Sequence, residues 1–265
     1  MTGGTALAIL DPAETALVAE LDRTFRSWAA DAAEISAPPL YPVTDLAKFD
    51  VYANFPHLAL VAGPLDLTEH DVRQPVLADG RYGLPHATCY GAYLYHEGGV
   101  VADDTLVTLV NRCFRNEDRF DGLRRLVSFQ MREIVALGEF EHTQRVLGRF
   151  TDRITEFGVA LGVPLDRVAA SDPFFAQDGP RALLQRLSPV KHEFQRDGLA
   201  IASTNTHRNF FGERCDIRLS NGEHAYTSCV AFGLERWLAV LTDRYDGDVE
   251  AATESVRAAA GAPVS

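Results

Sequence analysis

Two short stretches restrict the folds open to this chain. One is Phe114-Arg115-Asn116-Glu117, continued by Arg124-Arg125 and by Phe129-Gln130-Met131-Arg132-Glu133; the other, far downstream, is Gly233-Leu234-Glu235-Arg236-Trp237. Residues two apart on a strand point to the same face, so a strand through Arg115 and Glu117 sets a cation beside an acceptor. The basic pair and the aromatic that follow suit the return strand of an antiparallel pair. Arg236 falls in the first turn of an expected helix, and its planar fork matches phosphate oxygens. The combination suits a nucleotide gripped by two strands and a helix start. Taken singly, Arg-x-Glu is a common surface ion pair and Gly-Leu-Glu-Arg an ordinary helix start. Order and spacing carry the reading.

The 265 residues are enough for one substantial core. They are read as a single catalytic domain over 1–265, with a helical insertion at about 139–190. A formal net charge of -12 argues against a broad nucleic-acid surface, because affinity there rests on neutralising phosphates. No apolar run is long enough to span a membrane. Met1-Thr2-Gly3-Gly4-Thr5 shows neither the charge nor the cleavage pattern of a secretion signal, so a cytoplasmic protein is expected. Cys89, Cys113, Cys215 and Cys229 are widely separated, with no CxxC pair. Such cysteines are reduced core residues or metal ligands rather than disulfides.

Periodicity predicts an amphipathic helix over 11–33, with Asp11-Pro12 as its start signal and the prolines of 36–42 as its stop. Short mixed strands are expected over 50–63 and 83–98, and core strands over 105–115 and 126–135, joined by a charged loop over 117–122. Apolar residues at helical steps predict a helix over 139–161, where Arg145, Arg149 and Arg153 form a second stripe at four-residue steps. A short helix is expected over 181–187 and a strand over 191–204. Asn221-Gly222 marks a hairpin turn, Leu234, Trp237, Leu238 and Leu241 a core helix, and the tail from 251 reads as frayed.

The two opening stretches resemble motifs 2 and 3 of the class II aminoacyl-tRNA synthetases. Further segments narrow the likeness: Tyr52-Ala53-Asn54-Phe55-Pro56-His57-Leu58, Ala87-Thr88-Cys89, Ala202-Ser203-Thr204-Asn205-Thr206-His207 and Ser228-Cys229-Val230-Ala231-Phe232. With these the chain is similar to the amino acid:carrier protein ligases, small relatives of the atypical zinc-dependent seryl-tRNA synthetases, over roughly 35–237. The resemblance implies an α+β fold, an antiparallel sheet flanked by helices, and a homodimer formed through 11–42. It implies activation of a small amino acid with ATP, then transfer to the phosphopantetheine thiol of a carrier protein.

Residue by residue, the resemblance puts Arg115 on the α-phosphate and the reacting carboxylate, and Arg236 on the outer phosphates. It stacks adenine between Phe129 and Arg236, with Glu117, Arg125 and Leu126 beside the nucleotide, and Glu193 as a candidate to help hold Mg2+. Glu117, Glu133, Ser203 and Asn205 would face the amino acid. Cys89, Glu133 and Cys229 match a zinc site; three protein ligands leave the fourth position open, as in catalytic rather than structural zinc. On spacing alone the cysteines are equally small buried hydrophobes and Glu133 a strand-end charge. In the family a helix between motifs 2 and 3 docks the carrier, and here 139–161, with Arg145, Arg149 and Arg153, stands in that place. The other readings are a shortened seryl-type tRNA synthetase and a non-catalytic regulatory paralogue.

Overall fold

The computed structural model describes residues 6–64, 80–170 and 190–260. The chain opens with helix α1 (Pro12–Ser27), started by a capping box in which Asp11 and Glu14 each accept the other's backbone N–H at 2.9 Å. The helix stops well before 33. Strand β1 (Ala33–Glu34) instead pairs parallel with Val107 and Thr108. Strand β2 (Tyr41–Pro42), helices α2 (Val43–Lys48) and α3 (Val51–Asn54), and strands β3 (Leu60–Ala62) and β4 (Tyr82–Leu84) follow; β2, β4 and β3 make a small three-stranded sheet.

Helix α4 (Tyr90–Tyr95) begins directly after Cys89. The expected strands over 50–63 and 83–98 are therefore helical in part. An aromatic run such as Tyr90 to Tyr95 has strand propensity, but helical spacing buries Tyr90 and Tyr93 together. Tyr90 stacks on Phe49 at 5.0 Å and Tyr93 on Phe211 at 4.0 Å.

The long hairpin β5 (Asp104–Phe114) and β6 (Ser128–Gly138) leads to helix α5 (Phe140–Ala160) and strand β7 (Asp166–Ala170). The region expected as one strand over 191–204 is two, β8 (Lys191–Arg196) and β9 (Leu199–Arg208). Asp197 and Gly198 turn between them with φ of 49° and 78°, the left-handed pair that a tight hairpin requires. Helix α6 (Phe210–Arg214), strand β10 (Tyr226–Gly233), and helices α7 (Leu234–Arg244) and α8 (Val249–Ala260) complete the chain. Helix α8 replaces the expected frayed tail, because Val249, Ala252 and Val256 are buried and Arg257 bonds Glu20 of α1 at 2.9 Å. The helix expected over 181–187 lies outside the described residues.

The main sheet runs β1-β5-β6-β10-β9-β8-β7, antiparallel except at β1. This is the expected α+β architecture. Alternation gives the sheet two unlike faces. Ile134, Phe194, Ala202, Val230 and Phe232 face a core built with α1, α5, α7 and α8, which includes Leu21, Phe25, Phe150, Ile154, Phe157 and Trp237. Helix 139–161 is thus packed into the central core along its apolar side. On the opposite face, Val107, Leu109, Val135 and Leu137 join a smaller cluster with Phe49, Tyr90, Tyr93 and Phe211. That cluster stops short of Phe129, Met131, Ala231, Gly233 and Ser203, which line cavities instead.

Candidate active site

Strand β10 supplies the floor. Cys229, Ala231 and Gly233 share one face, flanked in register by Val135, Glu133 and Met131 of β6 and, for the first two, by Asn205 and Ser203 of β9. Lys191 and Glu193 of β8 continue the row, opposite Asn205 and Ser203. Small residues at 231 and 233 keep this stretch low, and a Cβ at Gly233 would meet nothing closer than 3.7 Å.

Cys89, Glu133 and Cys229 come together from three elements. One ligand atom from each lies within 4.8 Å of the others, and all three residues are buried. Glu133 Oε1 accepts the Thr88 N–H at 2.8 Å, while its buried Oε2 has no hydrogen-bond partner among the described residues. Burial raises the Glu133 carboxyl and pushes the Cys89 thiol well up. At Cys229 the Cys89 thiol pulls down, but burial and the Glu133 carboxylate prevail and hold it up at about 11. An orphaned carboxylate oxygen facing two thiols is the donor set of a divalent cation, which would displace their protons. The residues fit zinc.

The three donors line a cavity of about 180 Å³ together with Arg115, Lys191 and Ser203. A second cavity of about 80 Å³ adjoins it, bounded by Arg115, Phe129, Glu193 and Arg236. Arg115, Met131, Lys191, Ser203 and Ala231 wall both. A narrow recess beyond is lined by Glu117, Leu126, Phe129 and Arg236. The site is a row of compartments, with metal donors at one end and a cationic middle.

Arg115 stands at the junction. Strand β5 ends at Phe114, so Arg115 and Glu117 are not alternating strand residues as expected; they lie on the connection that follows. The Arg115 guanidinium donates to the His86 carbonyl at 3.1 and 3.3 Å and lies 5.0 Å over the Phe129 ring. Glu117 accepts from Arg125 at 2.6 Å. Arg236, in the first turn of α7 as expected, donates to the carbonyls of Arg124 and Ala200, each at 3.0 Å. Burial, with Arg115 and Arg125 nearby, draws its pKa down to about 10. A half-buried guanidinium so crowded by like charge is suited to receive an anion. Burial opposes ionisation of Glu193, but Lys191 at 3.2 Å, Gln195 and Arg236 hold its pKa below the usual range.

Asn205 lines the cavity, and its amide also bonds Ser203 Oγ at 3.2 Å and Cys229 Sγ at 3.4 Å. The three arginines of α5 lie apart from these compartments. Arg145 is exposed, Arg149 pairs with Asp31 at 2.9 Å, and Arg153 lies 5.3 Å over the Trp28 ring. Sequence reasoning gave no role to Lys191, His207, Tyr93 or Thr88. Period-two alternation puts His207 on the face of Ser203 and Asn205, but the Asp197-Gly198 turn alone would pair Lys191 with Thr204, and only the register shift at Phe194/Gln195 brings Lys191 opposite Asn205.

No family model matches the chain. It is 29% identical over 241 residues to amino acid–[acyl-carrier-protein] ligase 1 of Bradyrhizobium diazoefficiens, covering 83% of this chain and 74% of that protein. It is 33% identical over 175 residues to ligase 2 of the same organism, covering 63% and 52%. The chain is similar to the amino acid–[acyl-carrier-protein] ligases. It is also 26% identical over 191 residues to the type-2 serine–tRNA ligase of Methanocaldococcus jannaschii, of which it spans 36%. Among solved structures, the seryl-tRNA synthetase from Pyrococcus horikoshii complexed with ATP superposes with a TM-score of 0.71 at 14% identity, over 96% of this chain and 57% of that one. The fold is that of the class II synthetases.

Proposed function

We propose that this protein activates a small amino acid with ATP and passes it to the phosphopantetheine thiol of a carrier protein. The observation that carries the reading is the contiguity of the compartments: the Cys89, Glu133 and Cys229 donors open into a space walled by Arg115, which continues to Glu193 and Arg236. When zinc is held by the three donors, it supplies a cationic seat for a neutral α-amine. Arg115 then meets the amino-acid carboxylate and the α-phosphate together, and Arg236 meets the outer phosphates. A carboxylate oxygen bonds to the α-phosphorus as the bond to pyrophosphate breaks, giving the aminoacyl-adenylate. Arg115 and Arg236 neutralise the charge that gathers on the phosphoryl oxygens, and Glu193 would help hold Mg2+, which would add positive charge there.

Glu117 and Arg125 border the recess for adenine. Stacking adenine on the face of Phe129 that Arg115 now covers requires that guanidinium to swing toward the phosphates. In the second step the pantetheine sulfur replaces AMP at the carbonyl carbon. The 180 Å³ cavity, shared between α-amine, carboxyl and side chain, favours a small amino acid such as glycine, alanine or serine. Arg145, exposed on α5, is the leading contact for an acidic carrier, with Arg149 and Arg153 flanking it. A cytoplasmic homodimer through 11–42 completes the proposal.

Incubation with ATP, Mg2+, a small amino acid and a phosphopantetheinylated carrier tests the transfer. Intact-mass analysis should find the carrier heavier by one aminoacyl group, lost on hydroxylamine treatment. Charging of tRNA-Ser with no carrier loading would instead favour the serine–tRNA ligase reading. That reading is the weaker because the chain is 26% identical to such a ligase, against 29% and 33% to the two carrier-protein ligases. Neither product, from folded and zinc-loaded protein, would favour the non-catalytic paralogue.

A further inference from the structure

Behind the three donors stands a second layer that the reaction scheme leaves unused. Tyr93 on α4 is fully buried, and its hydroxyl lies 3.1 Å from His207 Nδ1. The other ring nitrogen of His207, Nε2, lies 3.8 Å from Cys229 Sγ. His207 is 1% exposed and is fixed edge-on to Phe211, at 4.9 Å between centroids, and to Tyr93, at 6.1 Å. Tyr93 and Phe211 are themselves stacked at 4.0 Å. The imidazole therefore cannot turn away from the sulfur without breaking an aromatic cluster.

A thiolate at Cys229 would favour one tautomer. If Nδ1 carried the proton, the bare Nε2 lone pair would face a sulfur that becomes a thiolate on binding metal. With the Tyr93 O–H donating to Nδ1, Nε2 keeps its hydrogen and directs it at that sulfur. Asn205 Nδ2 adds a second N–H toward the same atom at 3.4 Å. Two thiolates and a carboxylate around a divalent ion leave net negative charge in a buried place, and donors aimed at a thiolate offset that cost.

We propose that Tyr93 and His207 form a positioning pair for the metal centre. Tyr93 holds His207 in the Nε2–H tautomer, and His207 donates to the Cys229 thiolate, withdrawing charge from the sulfur so that the ion binds the substrate amine more strongly. The inference rests on the metal reading of Cys89, Glu133 and Cys229 and adds the residues that tune it. His207 also lines the 180 Å³ cavity, and the part proposed for it is to position the Cys229 sulfur.

Cobalt(II) alone serves as probe, since its thiolate charge-transfer band reports the electron richness of sulfur without any amino acid present. Metal-free wild-type protein, His207→Leu, His207→Gln and Tyr93→Phe would each be titrated with Co2+, with circular dichroism to confirm folding. The expected result is a red-shifted band and roughly 10–100-fold weaker binding in His207→Leu, the usual loss when an outer partner of a ligand is removed. His207→Gln, which keeps a donor, should recover most of the affinity, and Tyr93→Phe, which deletes one hydroxyl, should shift in the same direction by less. A band and affinity unchanged in folded His207→Leu, or in Tyr93→Phe should the former not fold, overturn the pair's role. No thiolate band in the wild type overturns the metal reading, and this inference with it.

Discussion

Arg132 and Glu133 are consecutive on β6, both 1% exposed, and they point to opposite faces of the sheet. Their circumstances differ sharply. Arg132 is satisfied by its own chain: both oxygens of Asp22 on α1 at 2.7 and 2.8 Å, Glu34 at 3.1 Å and Thr108 Oγ1 at 3.2 Å. Glu133 has one oxygen bonded to Thr88 N–H and the other, close to two thiols, without a hydrogen-bond partner among the described residues. A buried charge that the fold answers in full is a fastening, here between α1 and the sheet. One that the fold leaves unanswered marks a place for something from outside.

The difference can be broken experimentally, and the largest effect belongs to the fastened side. Asp22→Ala leaves a buried guanidinium with only part of its pairing and should cost about 3–5 kcal/mol in urea unfolding. Glu133→Gln, which keeps an acceptor for the Thr88 N–H, should destabilise metal-free protein by less than Asp22→Ala does, yet abolish zinc binding. Equal destabilisation by the two changes would erase the contrast. Arg115→Ala removes the guanidinium at the junction of the compartments and should lower amino-acid-dependent ATP–pyrophosphate exchange about 10²–10³-fold, with little change in stability.

A smaller effect concerns pH. His86, whose carbonyl anchors Arg115, is held by burial, with the Arg115 charge beside it, at a pKa of about 3 against an ordinary 6.5. Below pH 6.5 the unfolded chain takes up a proton that the folded chain refuses. Stability is therefore complete above that pH and is lost as the pH falls toward 3, by about 1.4 kcal/mol per unit. Urea midpoints at pH 6.5 and 5 should differ by about 2 kcal/mol more in wild type than in His86→Phe. Smallest of all, Arg145→Glu should slow carrier loading severalfold at low salt and leave pyrophosphate exchange unchanged. Loss of both, or of neither, would detach α5 from carrier docking.

How much of this was legible in the sequence follows from how local each signal is. Arg115, Phe129, Glu133, Cys229 and Arg236 sit in short motifs, and the structure brings all five to one face of the sheet. The Asp197-Gly198 turn is equally local, but it sets only the first pairs of the hairpin; the shift at Phe194/Gln195 that aligns Lys191 with Asn205 has no glycine to announce it. Tyr93 and His207 could not be paired from sequence, since their contact depends on α4 crossing the sheet at a particular place. Helix α4 itself was misread because aromatic runs have strand propensity, and only the aromatic pocket of Phe49 and Phe211 decides between the two. In α8 the spacing of Val249, Ala252 and Val256 was visible, but its partner α1 lies at the other end of the chain.

The central claim is that the unanswered side of β6 holds the ion that seats the substrate. Metal-free protein titrated with zinc, while amino-acid-dependent ATP–pyrophosphate exchange is followed across the common amino acids, tests it most directly. Exchange with one or two small amino acids should rise with the first equivalent of zinc and then level off, and Glu133→Gln should stay silent throughout. Full exchange in the metal-free protein, or undiminished exchange in Glu133→Gln, would contradict the account.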